Sequence, residues 1–183
     1  MKGTILSVLL TLCCCSAVAA GDLNQAFLDL PWGSAPAPGM MSKVASTAPI
    51  DYYAASEKVF HIGDSIMTDI LYAYYEDRLF AVHLKIDSLD AFEKIKAYMR
   101  DRYGFPKTTF ATGGDQTIFR WKHKRIRMKL KQYTPADAMK LSFYFAPVAD
   151  RVNHELGPKA EPSVRFLPIE RDKKPKALPL LVF

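Results

Sequence analysis

Cysteine is confined to one short stretch of this sequence. The three cysteines among 183 residues are Cys13, Cys14 and Cys15, inside an apolar segment near the start. Residues 1–20 combine Lys2, an apolar core from Ile5 to Leu12 and small residues up to Ala20, which is typical of a secretory signal peptide. Cleavage after Ala20 leaves no cysteine, which excludes disulfides and thiol chemistry in the mature chain.

The cysteines also allow a second interpretation, a bacterial lipoprotein anchored through Cys13 or Cys15. Lipid attachment favours a small residue before the modified cysteine, whereas Leu12 precedes Cys13 and Cys14 precedes Cys15. We therefore predict a cleaved signal and an exported protein, periplasmic or secreted, with lipoprotein anchoring as the alternative. The apolar run is too short to cross a bilayer, so we expect no transmembrane segment in the mature chain.

Patterns that bind metals or cofactors are also missing. The four histidines have no i, i+2 or i, i+4 spacing, and no cysteine remains to join them, so the sequence predicts no metal site. A glycine-rich phosphate loop is absent as well. We therefore expect no cofactor and a protein that is not an enzyme.

One stretch, Gly63-Asp64-Ser65, is similar to the nucleophile motif of some esterases, in which a catalytic serine follows Gly-Asp. Those enzymes also have a late Asp-x-x-His, whereas here His154 follows Asp150 by four positions. A nucleophilic serine also needs an adjacent base, and the sequence does not indicate one. We interpret the stretch as a turn and keep a hydrolase centred on Asp64 and Ser65 as a minor alternative.

The remaining sequence predicts one α+β domain over residues 21–147 and a Pro-rich, basic, flexible tail over residues 148–183. Apolar residues at helical spacing from Leu89 to Tyr103, between a capping Ser88 and a terminating Gly104, predict one main helix at about 88–103. Alternating patterns predict antiparallel β-meanders on either side of this helix. We expect the sheet to pack on the helix.

Acidic residues are rare in the second meander, where Asp137 is the only one between Thr117 and Phe145. Residues i and i+2 of a strand share a face, so the basic residues of this stretch are expected opposite its apolar residues. The predicted anion-binding residues are Arg120, Lys122, Arg125, Arg127, Lys129, Lys131 and Lys140. The alternative is a face that is only solvated, where lysines discourage aggregation between sheet edges.

Several short motifs are distributed along the predicted domain. They are Phe27–Gly33 with the pattern F-x-x-L-P-W-G, Ile62-Gly63, Ile70–Phe80, Tyr103–Pro106 with the pattern Y-G-x-P, and Trp121–Ile126. Together they resemble a group of small exported bacterial proteins of unknown function, over about residues 27–145. The resemblance implies an α+β fold and no catalytic residues. The chain departs from the group at residues 34–39, where the resemblance implies a helix and the sequence is Pro-rich.

Charge and predicted export together indicate a class of partner. The formal net charge is +6, which favours an anionic envelope component or another envelope protein, and export argues against nucleic acid. We expect a non-catalytic binding or envelope-associated module that uses the basic sheet face. The alternative is an assembly or chaperone-like partner that uses a sheet edge or the apolar C-terminal end, Leu178–Phe183.

Overall fold

The computed structural model describes residues 22–55, 58–110, 116–133 and 139–157. Two helices occur in these ranges, α1 (Leu89–Tyr103) and α2 (Ala146–Leu156). The strands in chain order are β1 (Ala26–Phe27), β2 (Leu30–Pro31), β3 (Ser42–Thr47), β4 (Ile50–Ala54), β5 (Phe60–Ile62), β6 (Ser65–Met67), β7 (Ile70–Tyr75), β8 (Arg78–Ile86), β9 (Lys107–Phe110), β10 (Gln116–His123), β11 (Ile126–Tyr133) and β12 (Met139–Phe145).

Eight of these strands form one antiparallel sheet in the order β3-β4-β7-β8-β12-β11-β10-β9. The two predicted meanders are therefore halves of one sheet, joined where β8 pairs with β12 in the register Leu84↔Leu141 and Val82↔Phe143. The other strands form two small hairpins, β1-β2 and β5-β6. The predicted α+β class with an antiparallel sheet is confirmed.

Helix α1 connects the central strand β8 to the edge strand β9. It begins after Ser88, whose Oγ accepts a hydrogen bond from the Ala91 amide at 3.2 Å, because a short polar side chain satisfies an amide that has no partner in the first turn. It ends at Gly104, which adopts φ 82° and donates to the Arg100 carbonyl. These signals are local, and the predicted bounds are within one residue of the observed ones.

One face of the sheet carries the aromatic part of the core. Phe27, which is fully buried, lies 5.3 Å from Phe143 between ring centroids and also contacts Tyr72. At the same face the ring of Trp32 stacks on Phe145 at 6.0 Å. Helix α1 contributes Phe92, Ile95 and Met99 to the same core. The segment Phe27–Gly33 is thus anchored by its two aromatic residues.

Helix α2 corrects the prediction of a single helix and of a tail that begins at residue 148. Its buried residues Val148, Ala149 and Val152 pack against β8 and β12, on the face opposite α1. Pro147 suggested a break in the chain, but proline is well tolerated in the first turn of a helix because the amide there has no helical partner. The residues from Ala146 to Leu156 therefore form a helix that packs on the sheet.

Other predictions concern residues outside the described ranges. Residues 1–21 contain the predicted signal peptide, Cys13 and Cys15, and residues 158–183 contain most of the predicted tail. The signal peptide and the tail thus stay predictions. Neither described helix has the length and apolar character needed to cross a membrane.

Tyr72 and Tyr74 of β7 are buried in the core, and burial raises the pKa of both hydroxyls. Burial raises the pKa of Tyr74 to about 12, with a smaller contribution from Tyr53. Burial also raises the pKa of Tyr72, and Tyr74 and Asp29 add to this effect. The Tyr72 hydroxyl is buried and has no hydrogen-bond partner among the described residues. A buried hydroxyl without a partner destabilises the folded state.

We expect Tyr72→Phe to increase the free energy of unfolding by about 1 kcal/mol, because it removes this hydroxyl without changing the shape of the ring. In the wild type, stability should decrease as pH rises above about 10, since tyrosine then ionises in the unfolded chain before it ionises in the fold. Tyr72→Phe should weaken this decrease. Urea unfolding between pH 7 and 11 measures both effects, and a less stable variant at pH 7 would contradict the prediction.

Candidate anion-binding face

The register of β10, β11 and β12 brings basic residues together on the sheet face opposite α1. Arg120 pairs with Lys129, Lys122 pairs with Arg127, and Lys131 pairs with Lys140. Paired residues of antiparallel strands project from the same side of a sheet. We call this set the basic face: Arg120, Lys122, Arg127, Lys129, Lys131 and Lys140.

Arg125 does not belong to the basic face, although strand alternation placed it there. It lies in the two-residue turn between His123 and Ile126, outside the regular strand. Its guanidinium carbon lies 4.6 Å above the ring of Phe145, which stacks on Trp32 at the α1 side of the sheet. The turn breaks the alternation, and the aromatic ring offers a favourable cation–π contact.

Neighbouring strands extend the basic face beyond the predicted residues. Lys107 pairs with Arg120 on one side, and Lys85 pairs with Lys140 on the other. Lys85 forms ion pairs with Asp87 at 3.0 Å and with Asp69 at 3.9 Å. The sequence carried no signal for these two lysines, because their place depends on pairing between strands that are distant in the chain.

Burial divides the basic face into two parts. Lys131 and Lys140 face one another and are each only 5 % exposed, so they offer little surface to an external partner. Lys122 and Lys107 are exposed, and Arg120 is partly exposed. The accessible part of the face therefore lies towards the β9 edge.

Several accessible cations have contacts within the protein. The two terminal nitrogens of the Arg127 guanidinium, Nη1 and Nη2, donate to the carboxylate of Asp150 on α2, with Nη2 at 2.8 Å. The Lys129 ammonium lies 4.7 Å above the ring of Tyr144, and Arg120 donates to the Thr109 hydroxyl. Asp150 therefore neutralises one cation of the face, whereas Arg120 and Lys129 contact a hydroxyl and an aromatic ring.

A cleft of about 430 Å³ opens at the β9 edge of this face. It forms because β9 begins at Lys107, opposite Arg120, so that Trp121, Lys122 and His123 of β10 have no partner in β9. Five cations line the cleft, namely Lys107, Arg120, Lys122, Arg127 and Lys129. The rest of its described lining is apolar or aromatic, namely Tyr103, Phe105, Trp121 and Met128. No described carboxylate lines it.

A buried pair of polar residues lies further along the same face. His83 and Ser142 are cross-strand partners on β8 and β12, with 2.8 Å between His83 Nδ1 and Ser142 Oγ. The two side chains are 5 % and 0 % exposed. Because Ser142 is closed to any substrate, the pair joins the two halves of the sheet and does not form a nucleophilic centre. His83 and Ser142 are far apart in the sequence, so their contact could not be predicted without the pairing of β8 with β12.

Asp64 and Ser65 lie at the tip of the β5-β6 hairpin. Gly63 and Asp64 form its two-residue turn, and Gly63 has φ 54°, which a residue without Cβ adopts easily. The Ser65 side chain is buried with Ile62 and Met67, whereas His61 alternates to the exposed side. Across the described residues, no group of three His, Cys, Asp or Glu side chains could hold a metal ion.

Comparisons with known proteins found no matching family model, no matching curated protein and no matching solved structure.

We expect Asp150→Asn to strengthen binding of a polyanion, because it frees the Arg127 guanidinium while keeping the shape of the side chain. The increase should be modest, about two- to fivefold, since partly exposed ion pairs are weak. Retention on immobilised heparin as a function of salt measures it. Asp101→Asn on α1 is the matched control, because it changes net charge equally at an exposed pair with Arg100. An equal increase in both variants would contradict a role for Arg127.

Proposed function

We propose that this chain is an exported, non-catalytic binding module of the bacterial envelope and that it binds an anionic partner through the basic face. The observation that supports this most is the cleft at the β9 edge, with five cations and no described carboxylate in its lining. Clefts lined by charge of one sign concentrate counter-ions of the opposite sign. The predicted signal peptide at residues 1–20 supports export, and export favours an envelope component over nucleic acid.

The energetics of the sheet support a binding role. Like charges directly opposite one another on neighbouring strands cost roughly 0.2–1 kcal/mol per pair. One such pair, Arg120 with Lys129, lies beside the cleft, whereas Arg127 opposite Lys122 is neutralised by Asp150. An anion held beside Arg120 and Lys129 would weaken the repulsion between these two cations.

Binding is favoured over catalysis by the polar groups of the site. Lysine and arginine provide charge and hydrogen-bond donors but have no activated nucleophile beside them in the cleft. Ser142, which contacts His83, and Ser65 of the Gly-Asp-Ser stretch are both buried and do not line the cleft. Ion pairs on an open face are screened by salt. The proposed association is therefore salt-sensitive.

The proposal predicts that reversing charge at the cleft abolishes tight binding to a soluble polyanion. In Lys107→Glu/Lys122→Glu, both changed residues are exposed, so the fold should persist. Affinity for heparin at low salt should fall roughly tenfold or more, because attraction in the cleft is replaced by repulsion. Titration at several salt concentrations measures the affinity and its salt dependence.

Arg78→Glu/Arg125→Glu is the matched control for this experiment. It makes the same change in net charge at two exposed residues outside the cleft. We expect it to keep most of the affinity for heparin. Equal losses in the two double variants would show that net charge alone controls binding, and unchanged affinity in both would overturn the proposed function.

A second candidate function is an assembly or chaperone-like role through a sheet edge. The observation that favours it is β3, an edge strand whose six residues are all exposed. An exposed edge offers backbone groups to an incoming strand. The apolar end Leu178–Phe183, the other element of this hypothesis, lies outside the described residues.

If the β3 edge binds a partner strand, Val44→Pro should remove that partner from a pull-down of envelope extract, because proline has no amide to donate. Thr109→Pro on the opposite edge strand, β9, should leave the same partner bound. Circular dichroism checks that both variants stay folded. Identical partners for the wild type and Val44→Pro would argue against the β3 edge.

A further inference from the structure

We infer that the β9 edge is a membrane-contact site, at which Phe105 and Phe110 enter the headgroup region of an anionic lipid bilayer while the cleft cations bind lipid phosphates. This inference rests on the proposed function, since it assigns a particular anionic partner to the same cleft. Two observations carry it. They are the exposure of two phenylalanines at one sheet edge and the grouping of cations beside Phe105.

Phe105 is the most exposed large apolar residue of the described chain, at 89 %. It is held there by its neighbours. Gly104 ends α1, and its carbonyl accepts a hydrogen bond from Trp121 Nε1 at 2.8 Å. Pro106 follows and restricts the backbone further. The fold therefore exposes this aromatic ring to solvent at a defined place. Its transfer out of water would be favourable.

Phe110 lies at the other end of β9 and is 74 % exposed. It lies five positions after Phe105, so an extended chain keeps the two Cα atoms within roughly 18 Å of one another. Among the described strands, β9 pairs with β10 alone and is an edge of the sheet. Phe110 pairs with Thr117 and therefore projects from the face opposite Lys107 and Arg120, so a flat surface can meet both rings where it approaches the β9 edge itself.

The cations beside Phe105 match an anionic bilayer. Phe105 lines the same cleft as Lys107, Arg120 and Lys122. Aromatic residues insert at the boundary between headgroups and acyl chains, and nearby lysine and arginine are attracted to anionic headgroups. One apolar anchor binds weakly, whereas anchors combined with a basic patch hold a protein at the surface. A small soluble anion in the cleft would leave Phe110 in water.

Co-sedimentation with lipid vesicles tests the inference. We expect the wild type to bind phosphatidylcholine vesicles that contain phosphatidylglycerol, and to bind vesicles of phosphatidylcholine alone much more weakly. Phe105→Ser/Phe110→Ser should bind the anionic vesicles roughly tenfold more weakly or worse, because two apolar anchors are lost. Met40→Ser/Val44→Ser is the matched control, since these residues are 59 % and 43 % exposed at the opposite end of the sheet.

A second measurement reports insertion directly. Phe105→Trp places a fluorophore at the proposed contact, and brominated lipids in the anionic vesicles should quench its emission. Met40→Trp should not be quenched. Quenching at neither position, or at both positions equally, would overturn the inference even if the protein sediments with vesicles.

Heparin separates the failure of this inference from the failure of the proposed function. Phe110→Ser leaves every residue that lines the cleft unchanged, so its affinity for heparin should be unchanged, while its affinity for anionic vesicles should fall. If that variant binds both heparin and anionic vesicles as the wild type does, the membrane contact is wrong and the anion-binding cleft stands. If wild-type protein binds heparin but no vesicles, the occupant is a soluble anion or an extended peptide, and the inference is overturned.

Discussion

The pairing of β8 with β12 is the constraint on which the rest of this structure depends. It brings Leu84 beside Leu141 and Val82 beside Phe143, and so turns two local meanders into one eight-stranded sheet. The same pairing places His83 next to Ser142, where a 2.8 Å hydrogen bond joins two buried polar side chains. The sheet then offers each helix a face to pack against. Helix α1 packs on one face, and α2 packs across β8 and β12 on the other.

This pairing also decides what the basic face can do. Helix α2 follows β12 directly, so its position is fixed by the strand, and Asp150 reaches Arg127 from it. Towards β8, Lys131 and Lys140 are buried. The cations left accessible are those towards β9, where the edge strand is short. The basic face therefore differs in accessibility across the sheet. Its cations are neutralised or buried near the centre and accessible at the β9 edge.

Local signals were sufficient for the parts of the fold that depend on local interactions. Helix α1 was predictable because Ser88 and Gly104 mark its ends and because its apolar residues recur at one helical period. The face shared by Arg120, Lys122, Arg127 and Lys129 followed from alternation within single strands. The prediction for Arg125 was wrong, because Arg125 lies in the two-residue turn between β10 and β11, where the alternation is interrupted. Helix α2 is not predicted because the sequence after Pro147 is rich in proline and charge, although Val148 and Val152 are spaced as on one face of a helix.

The β9 edge was not predictable from sequence, since it results from a difference in strand length between neighbours. Strand β10 continues three residues past the start of β9, and the chain there turns away through Gly104, Phe105 and Pro106. The hydrogen bond from Trp121 to Gly104 holds this turn against the sheet, so the gap does not close around Phe105. An edge usually protects itself by charge or by short length, and β9 has both. It nonetheless keeps Phe105 and Phe110 in water, a combination that stability alone does not require and that a bilayer surface would satisfy.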